Sequence, residues 1–430
     1  MKTVNRRDFL KASAGVGLAL GTPIFGSQNA TFRTALIGSG WWGMNILGCA
    51  LESRRCRVVG LCDPDRNQLT PAMEEVGRLT GQTPAGYSDY RELLAAQKPE
   101  VVIVASPDHW HPLIMIAAVE AGAHVYVEKP IGHTIKEGRA MVEAARRNDR
   151  VVQVGTHRRV SPHNISGIEF LKSGKVGQIG MVKSFVYNSG GIGQPTPDSE
   201  PPEGLDWDMW CGPAPLRPFN NRIHPRGFRQ FLEFANGTLG DWGIHWLDQV
   251  LWWTEEKYPR KVFSTGGRHV LQTSTNAPDT QVATFEFESF TATWEHRLYG
   301  GHPNQDHQVG CFFYGTKGVF HMGWLDGWTF YPNAKGQSPI HQEPKLREPD
   351  SQNIPELWAD FLGSIDQGRL PVCDIEVGHR STNMSLLGML SLKCGRAVEW
   401  DGEREQVLND EEANRLLSRE YRSPWVYPAV

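Results

Sequence analysis

The chain has 430 residues, with 44 Lys and Arg against 48 Asp and Glu and a formal net charge of −4. No basic excess is available to neutralise a phosphate backbone, which argues against a nucleic-acid partner. With 40% hydrophobic and 21% charged residues the composition excludes bulk disorder, and at roughly 100 to 200 residues per domain the length predicts two or three domains. Seven cysteines (Cys49, Cys56, Cys62, Cys211, Cys311, Cys373 and Cys394) are odd in number and form no CxxC pair, so neither a disulfide framework nor a thiolate zinc site is indicated.

In chain order, residues 5–11 read N-R-R-D-F-L-K and precede a small, apolar run over 12–20. The pattern resembles a twin-arginine translocation signal, and the run is too short to span a bilayer. It predicts a periplasmic or otherwise exported protein, processed near Ala30, with no membrane insertion beyond the signal. The twin-arginine route implies folding before export, with a cofactor loaded in the cytoplasm.

Residues 34–37 form a short apolar strand that enters Gly38-Ser39-Gly40-Trp41-Trp42-Gly43, and 44–52 read as helix. A strand, a glycine turn and a helix are the context a dinucleotide fingerprint requires. Gly38 suits the tight turn, Gly40 the approach to a pyrophosphate, and Gly43 close helix packing. A second strand, 57–62, ends at Asp63, at the offset expected for a ribose-binding acid. That carboxylate accepts ribose hydroxyls and repels a 2′-phosphate, so NAD is favoured over NADP, with Arg66 keeping NADP open. Helices over 69–80, 90–96, 112–121 and 135–148 then alternate with strands over 101–105, 124–127 and 151–154. Uniform Val/Ile strands between helices predict a parallel, doubly wound sheet with ligands beyond the strand ends. Three segments fall there: Ser106-Pro-Asp-His109-Trp-His111, Glu128-Lys129-Pro130, and the turn holding His157 and Arg158.

The second half reads differently. Residues 281–288 alternate strictly, with Ala283, Phe285 and Phe287 on one face, and strands over 291–298, 310–314 and 318–322 follow between glycine turns, predicting an antiparallel sheet. Residues 195–218 hold seven prolines and read as a long surface loop, a lid or arm. A closing helix over 375–396 is expected to pack across both halves.

The glycine turn, the S-P-D-H-x-H stretch, Glu128-Lys129-Pro130 and the later Asp241-x-x-x-His245 together resemble the glucose-fructose oxidoreductase, inositol dehydrogenase and rhizopine-catabolism family, over residues 31–400. The resemblance implies a Rossmann domain followed by an α+β domain on an open, mostly antiparallel sheet that forms a homo-oligomer contact. The expected division is 1–30 signal, 31–155 NAD-binding domain, 156–400 substrate and oligomerisation domain, and 401–430 tail. Cofactor contacts are expected from Gly38, Gly40, Trp41, Trp42, Gly43, Asp63, Ser106, His109, Glu128 and Lys129.

Asp241 and His245 are four apart on an expected helix and share a face. In the family pattern they join Lys129 as the catalytic set. His245 would accept a hydroxyl proton, Lys129 would stabilise the developing alkoxide, and Asp241 would bind substrate or orient the imidazole. Substrate contacts are expected from His157, Arg158, His224, Asp241, Trp242 and His245, with Arg226 and Arg229 as further candidates. His302, Asp306 and His307 share a polar loop without a complete ligand set, so no metal is expected. The reading is an exported NAD-dependent oxidoreductase acting on a sugar, glycoside or polyol, with tightly bound, internally recycled NAD. Two alternatives stand beside it: an NAD-dependent glycosidase working by transient oxidation at C3, elimination and water addition, and a non-catalytic NAD-binding sensor or assembly subunit.

Overall fold

The glycine turn sits at the centre of a parallel sheet. The computed structural model describes residues 31–188, 190–301, 307–347 and 352–429; the expected export segment with its expected processing point near Ala30, and His302 and Asp306, lie outside them. Strands β1 (Phe32–Ile37), β2 (Cys56–Cys62), β3 (Ala85–Tyr87), β4 (Val101–Val104), β5 (His124–Val127) and β6 (Val152–Val154) run in the order β3-β2-β1-β4-β5-β6. All pair in parallel. The order reverses between β1 and β4, the switch point at which such sheets bind ligands. Val101, Val102, Ile103 and Val104 are wholly buried, as a strand covered by helices on both faces must be.

Helices α1 (Trp41–Glu52), α2 (Arg66–Thr80), α3 (Tyr90–Gln97), α4 (His111–Glu120) and α5 (Ile135–Arg147) cover it. Their starts follow from side chains that satisfy otherwise orphaned N–H groups. The carboxylates of Asp65 and Asp89 accept from Asn67 and Arg91, and Thr134 with Glu137 forms a capping box on α5.

After α6 (Pro162–Lys172), the second sheet holds β7 (Ile179–Tyr187), β8 (Lys261–Gly267), β9 (Thr280–Glu286), β10 (Thr291–Arg297), β11 (Val309–Gly315), β12 (Gly318–Gly323), β13 (Trp328–Pro332) and β14 (Ile340–Gln342). With β15 (Val398–Asp401) and β16 (Gln406–Val407) their order is β14-β13-β12-β11-β7-β10-β9-β8-β15-β16. It is antiparallel except where β7 and β10 pair in parallel. The strict alternation of β9 turns Ala283 and Phe285 into the core. β7, at the middle of the sheet, is not legible from sequence because both of its faces are apolar. Val182 and Val186 enter the core while Phe185 and Tyr187 form a patch with Phe312 on the other side.

Residues 195–218 are not simply a surface loop. Prolines stop regular structure there, but α7 (Trp207–Cys211) buries Trp207 and Trp210 in a small core with Phe219, Phe228, Phe231 and Phe234. Helix α8 (Ile244–Trp253) follows a π-helical turn at Leu239–Gly243. Helix α9 (Ile354–Gln367) lies on the parallel sheet, where Trp358 stacks on Tyr126 at 5.4 Å. Helix α10 (Ile375–Cys394) joins the two halves: Gly378 leaves room for Val154 of β6, and the Ser391 hydroxyl accepts from the Ser264 amide of β8 at 3.0 Å. A buried ion pair, Arg159 to Asp248 at 2.9 Å, ties the end of β6 to α8, with Ser381 of α10 donating to the same carboxylate at 2.6 Å.

After a last short helix, α11 (Glu411–Arg415), residues 416–429 fold back over the protein. Arg419 and Tyr421 donate to the wholly buried Glu137 at 2.9 and 2.7 Å, and Trp425 packs on Trp110.

Candidate active site

A cavity of about 610 Å³ opens beyond the carboxyl ends of β1, β4 and β5. Its floor is the glycine turn. Gly38 has φ +93°, and a Cβ there would lie 2.6 Å from the Ala105 carbonyl; at Gly43 a Cβ would lie 2.0 Å from the Gly38 oxygen. Only glycine fits either position. A Cβ on Gly40 would meet nothing nearer than 3.9 Å, so the space beside its backbone is open to a ligand at the N-terminus of α1, the arrangement that receives a pyrophosphate. Trp41 and Trp42 line the same floor.

Asp63 lines the cavity at the end of β2. One carboxylate oxygen accepts from the Ser39 amide at 2.9 Å and hydroxyl at 3.2 Å, the other from the Asp65 amide at 3.0 Å. Burial pushes its pKa up to about 6. These groups fit a dinucleotide: an open glycine backbone for the phosphates and an acceptor for the ribose.

At the other end, Lys129, Asp241 and His245 line the cavity together. The Lys129 ammonium donates to Asp241 Oδ1 at 2.8 Å and to the Asp241 carbonyl at 2.9 Å. Arg229 donates through Nε to the same Oδ1 at 3.1 Å. Burial raises the Asp241 pKa, but the two cations outweigh it and hold the carboxyl below its usual value. His245 follows the π-turn, a local distortion common at functional sites. Its pKa lies well below the usual imidazole value through burial and the charges of Lys129, Arg158 and Arg229, so it is neutral, the form a proton acceptor needs. Its Nδ1 is buried without a partner.

Glu128, also lining the cavity, is held at the end of β5 by the Tyr126 hydroxyl at 3.0 Å and the Lys129 amide at 3.1 Å. Gly155 provides the space, since a Cβ there would lie 2.5 Å from its Oε1. Ser106, His157 and Trp242 line the cavity too, with the His157 ring 5.4 Å from that of His245.

Three expected contacts sit elsewhere. His109 is buried against Trp210 and Phe234, its Nε2 3.0 Å from the Trp210 carbonyl, and does not line the cavity. Arg158 is buried behind Trp324: its guanidinium lies 3.6 Å over that ring and donates to the Trp324 carbonyl at 2.8 Å. His224 lines the cavity at the ribose end rather than the substrate end, with Nε2 2.8 Å from Asp65 Oδ2. Trp324 is the wall that sequence reasoning missed, its ring 5.0 Å from His245 and 5.1 Å from Trp242. It arrives from a turn with no motif around it.

A strap formed by residues 203–229 roofs the cavity with Trp210, His224, Pro225, Arg226 and Arg229. It is fastened to α2 by the Arg66 amide on the Gly204 carbonyl at 2.9 Å, Asn67 on the Glu203 carbonyl at 2.9 Å, and His224 on Asp65. From the other side Arg422 donates to Asp208 at 2.6 Å and to the Gly212 carbonyl at 3.1 Å.

Family comparison agrees with this anatomy. Residues 32–156 match the Gfo/Idh/MocA oxidoreductase family, NAD-binding Rossmann fold, and residues 177–269 and 314–427 match its C-terminal α/β domain. Residues 3–23 match a twin-arginine translocation signal sequence. Among curated relatives, the inositol 2-dehydrogenase of Salmonella typhimurium is 27% identical over 177 residues, 41% of this chain and 50% of that protein. The D-glucoside 3-dehydrogenase of Escherichia coli is 29% identical over 152 residues, 35% of this chain and 42% of that one. A glycosyl hydrolase family 109 protein of Shewanella is 27% identical, covering 35% and 39%. The chain spans about half the length, or less, of these relatives. Among solved structures, levoglucosan dehydrogenase in complex with NADH and levoglucosan superposes with a TM-score of 0.66 at 18% identity, covering 86% of this chain and 99% of that one. The aldose-aldose oxidoreductase of Caulobacter crescentus gives 0.64 at 20% identity with the same coverage; both likenesses concern the fold. With both its halves matched, the chain belongs to the Gfo/Idh/MocA oxidoreductase family.

Proposed function

We propose that the protein is an exported NAD-dependent oxidoreductase that acts on a sugar, glycoside or polyol and keeps its NAD bound through the whole cycle. The strap supports this reading: residues 203–229 line the same cavity as the glycine turn and are bonded to α2 and to the C-terminal segment, so they would lie across a bound dinucleotide and slow its release. The signal supports it from another direction: outside the cytoplasm no nicotinamide pool is expected to exchange with a released cofactor. Relatives named for inositol and glucoside oxidation support the substrate class. Asp63 favours NAD over NADP.

When bound, NAD takes a hydride from a substrate carbon and can give it back. The Gly38–Gly43 backbone and Asp63 would hold its phosphates and ribose. Neutral His245 accepts the substrate hydroxyl proton. The Lys129 ammonium faces the oxygen on which negative charge develops, and Asp241, fixed by Lys129 and Arg229, keeps that ammonium in place. Trp242 and Trp324 offer flat apolar surface to the C–H face of a sugar ring. Presence of the whole Lys129, Asp241 and His245 set disfavours a non-catalytic sensor.

If the cofactor is retained, its hydride would have to pass on within the site, to a second sugar or to a late intermediate of the first. The second course is redox-neutral glycoside cleavage, favoured by the glycosyl hydrolase relative. Homo-oligomerisation is proposed through the outer face of the second sheet, where Met181, Phe263, Val282 and Tyr331 are exposed. The test is to purify the protein without added NAD, identify the released nucleotide by mass spectrometry, and incubate the holoprotein with free sugars, polyols and aryl glycosides. Turnover with no nucleotide added is the expected result. An empty protein that needs millimolar NAD and accumulates one NADH per product would restore a plain dehydrogenase.

A further inference from the structure

We propose that His307, His321 and Asp326 form a binding site for a first-row divalent cation, zinc in particular, on the turn that carries Trp324. His307 precedes β11, His321 lies within β12, and Asp326 sits in the turn from β12 to β13. Two imidazoles and one carboxylate thus come from three backbone segments to one spot, each offering an atom within 4.8 Å of the others. The His307 Nδ1 and Asp326 Oδ2 atoms are 2.9 Å apart, close enough for both to bind one ion at the usual distance of about 2.0–2.2 Å. The His321 ring is stacked on that of His307 with centroids 3.6 Å apart, and a turn of the imidazole out of that stack would aim a ring nitrogen at the same ion.

His321 is the independent sign. It is 1% exposed, and its Nε2 is buried without a hydrogen-bond partner. A buried ring nitrogen left unpaired is costly, and the fold makes room for this one: a Cβ on Gly310 of β11 would lie 2.5 Å from it. The neighbouring strand is thus built around the imidazole rather than closed over an apolar side chain. Imidazole with carboxylate selects zinc, nickel or copper over calcium and magnesium, which take all-oxygen shells.

Asp326 is two residues from Trp324, in a turn closed by the Gly323 amide on the Gly327 carbonyl at 2.8 Å. An ion held there clamps that turn to β11 and so fixes the Trp324 wall, whose ring faces His245. The role inferred is structural, since none of the three ligands lines the active-site cavity.

The full-length protein, stripped with chelator and dialysed, is titrated with zinc chloride by calorimetry, with thermal unfolding and tryptophan emission followed in parallel. One equivalent of zinc bound with a dissociation constant at or below about 1 µM, a raised melting temperature and an altered emission are expected. Asp326→Asn removes an exposed ligand without disturbing the core, and His321→Ala removes the buried one; each should weaken binding about 100-fold or more. Absence of saturable binding, or the same affinity in Asp326→Asn as in the parent, overturns the site whatever the substrate proves to be.

Discussion

Lys129 spends two of its three N–H donors on one residue, the side-chain and main-chain oxygens of Asp241. That arrangement fixes the ammonium beside the cavity without filling the position where a substrate oxygen would bind. Replacing Lys129 with Ala is expected to lower turnover by about 10²–10³, the usual loss for one electrostatic stabiliser, while the purified protein retains its NAD. Steady-state rates and bound-nucleotide content decide this together, and near-normal turnover would reduce Lys129 to a structural role. Asp63 governs the other end. Burial pushes its carboxyl pKa up to about 6, and ribose hydroxyls donate more strongly to the ionised carboxylate than to the protonated acid, so NAD affinity is full above that pH and falls as pH drops through it. One proton limits the fall to about tenfold per pH unit. Titrating NAD release between neutral and acidic pH should show this slope, and Asp63→Asn should flatten it; a parent protein with flat affinity would exclude Asp63 as the ribose acceptor. These two residues, with the glycine turn, are legible in the sequence because each sits in a short contiguous motif at a strand end.

Among the elements, the strap separates this chain from a bare Rossmann scaffold, and it is also where sequence reasoning fell short. Seven prolines between 195 and 218 read as an irregular surface loop, and irregular it is. What periodicity cannot reveal is that Trp207, Trp210 and four phenylalanines collapse into a core of their own, which makes the segment a rigid cover. His224 was misplaced for the same reason: its distance along the chain from Asp65 hides the 2.8 Å contact. Losing a hydrogen bond to a charged group costs about 1.5–3 kcal/mol. His224→Ala should therefore speed NAD loss by about 10- to 100-fold, measured as nucleotide remaining after gel filtration over time. Unchanged retention would mean that the strap does not hold the cofactor. The parallel sheet was readable from its buried valine strands, but β7 was not, because a strand apolar on both faces has no alternation to detect.

At the scale of the whole molecule, the proposed catalytic set depends on long-range assembly. Lys129 and Asp241 are 112 residues apart in sequence; one follows β5 of the parallel sheet and the other sits in the π-turn before α8, and α10 and the Arg159–Asp248 pair link those two halves. The i, i+4 spacing of Asp241 and His245 indicates that they can share a face, but only the packed halves bring that face to Lys129. The same packing sets the strap over the cavity, so the proposed catalysis and the proposed retention of NAD would arise from one architecture. A stopped-flow experiment on protein purified without added nucleotide tests this most directly, mixing it with excess substrate from the sugar and glycoside panel while following the near-ultraviolet absorbance of reduced nicotinamide. The expected trace rises to no more than one equivalent per site and returns to baseline as substrate is consumed, with the rise much slower in Lys129→Ala. A signal that appears only after NAD is added and then climbs in step with product would contradict it.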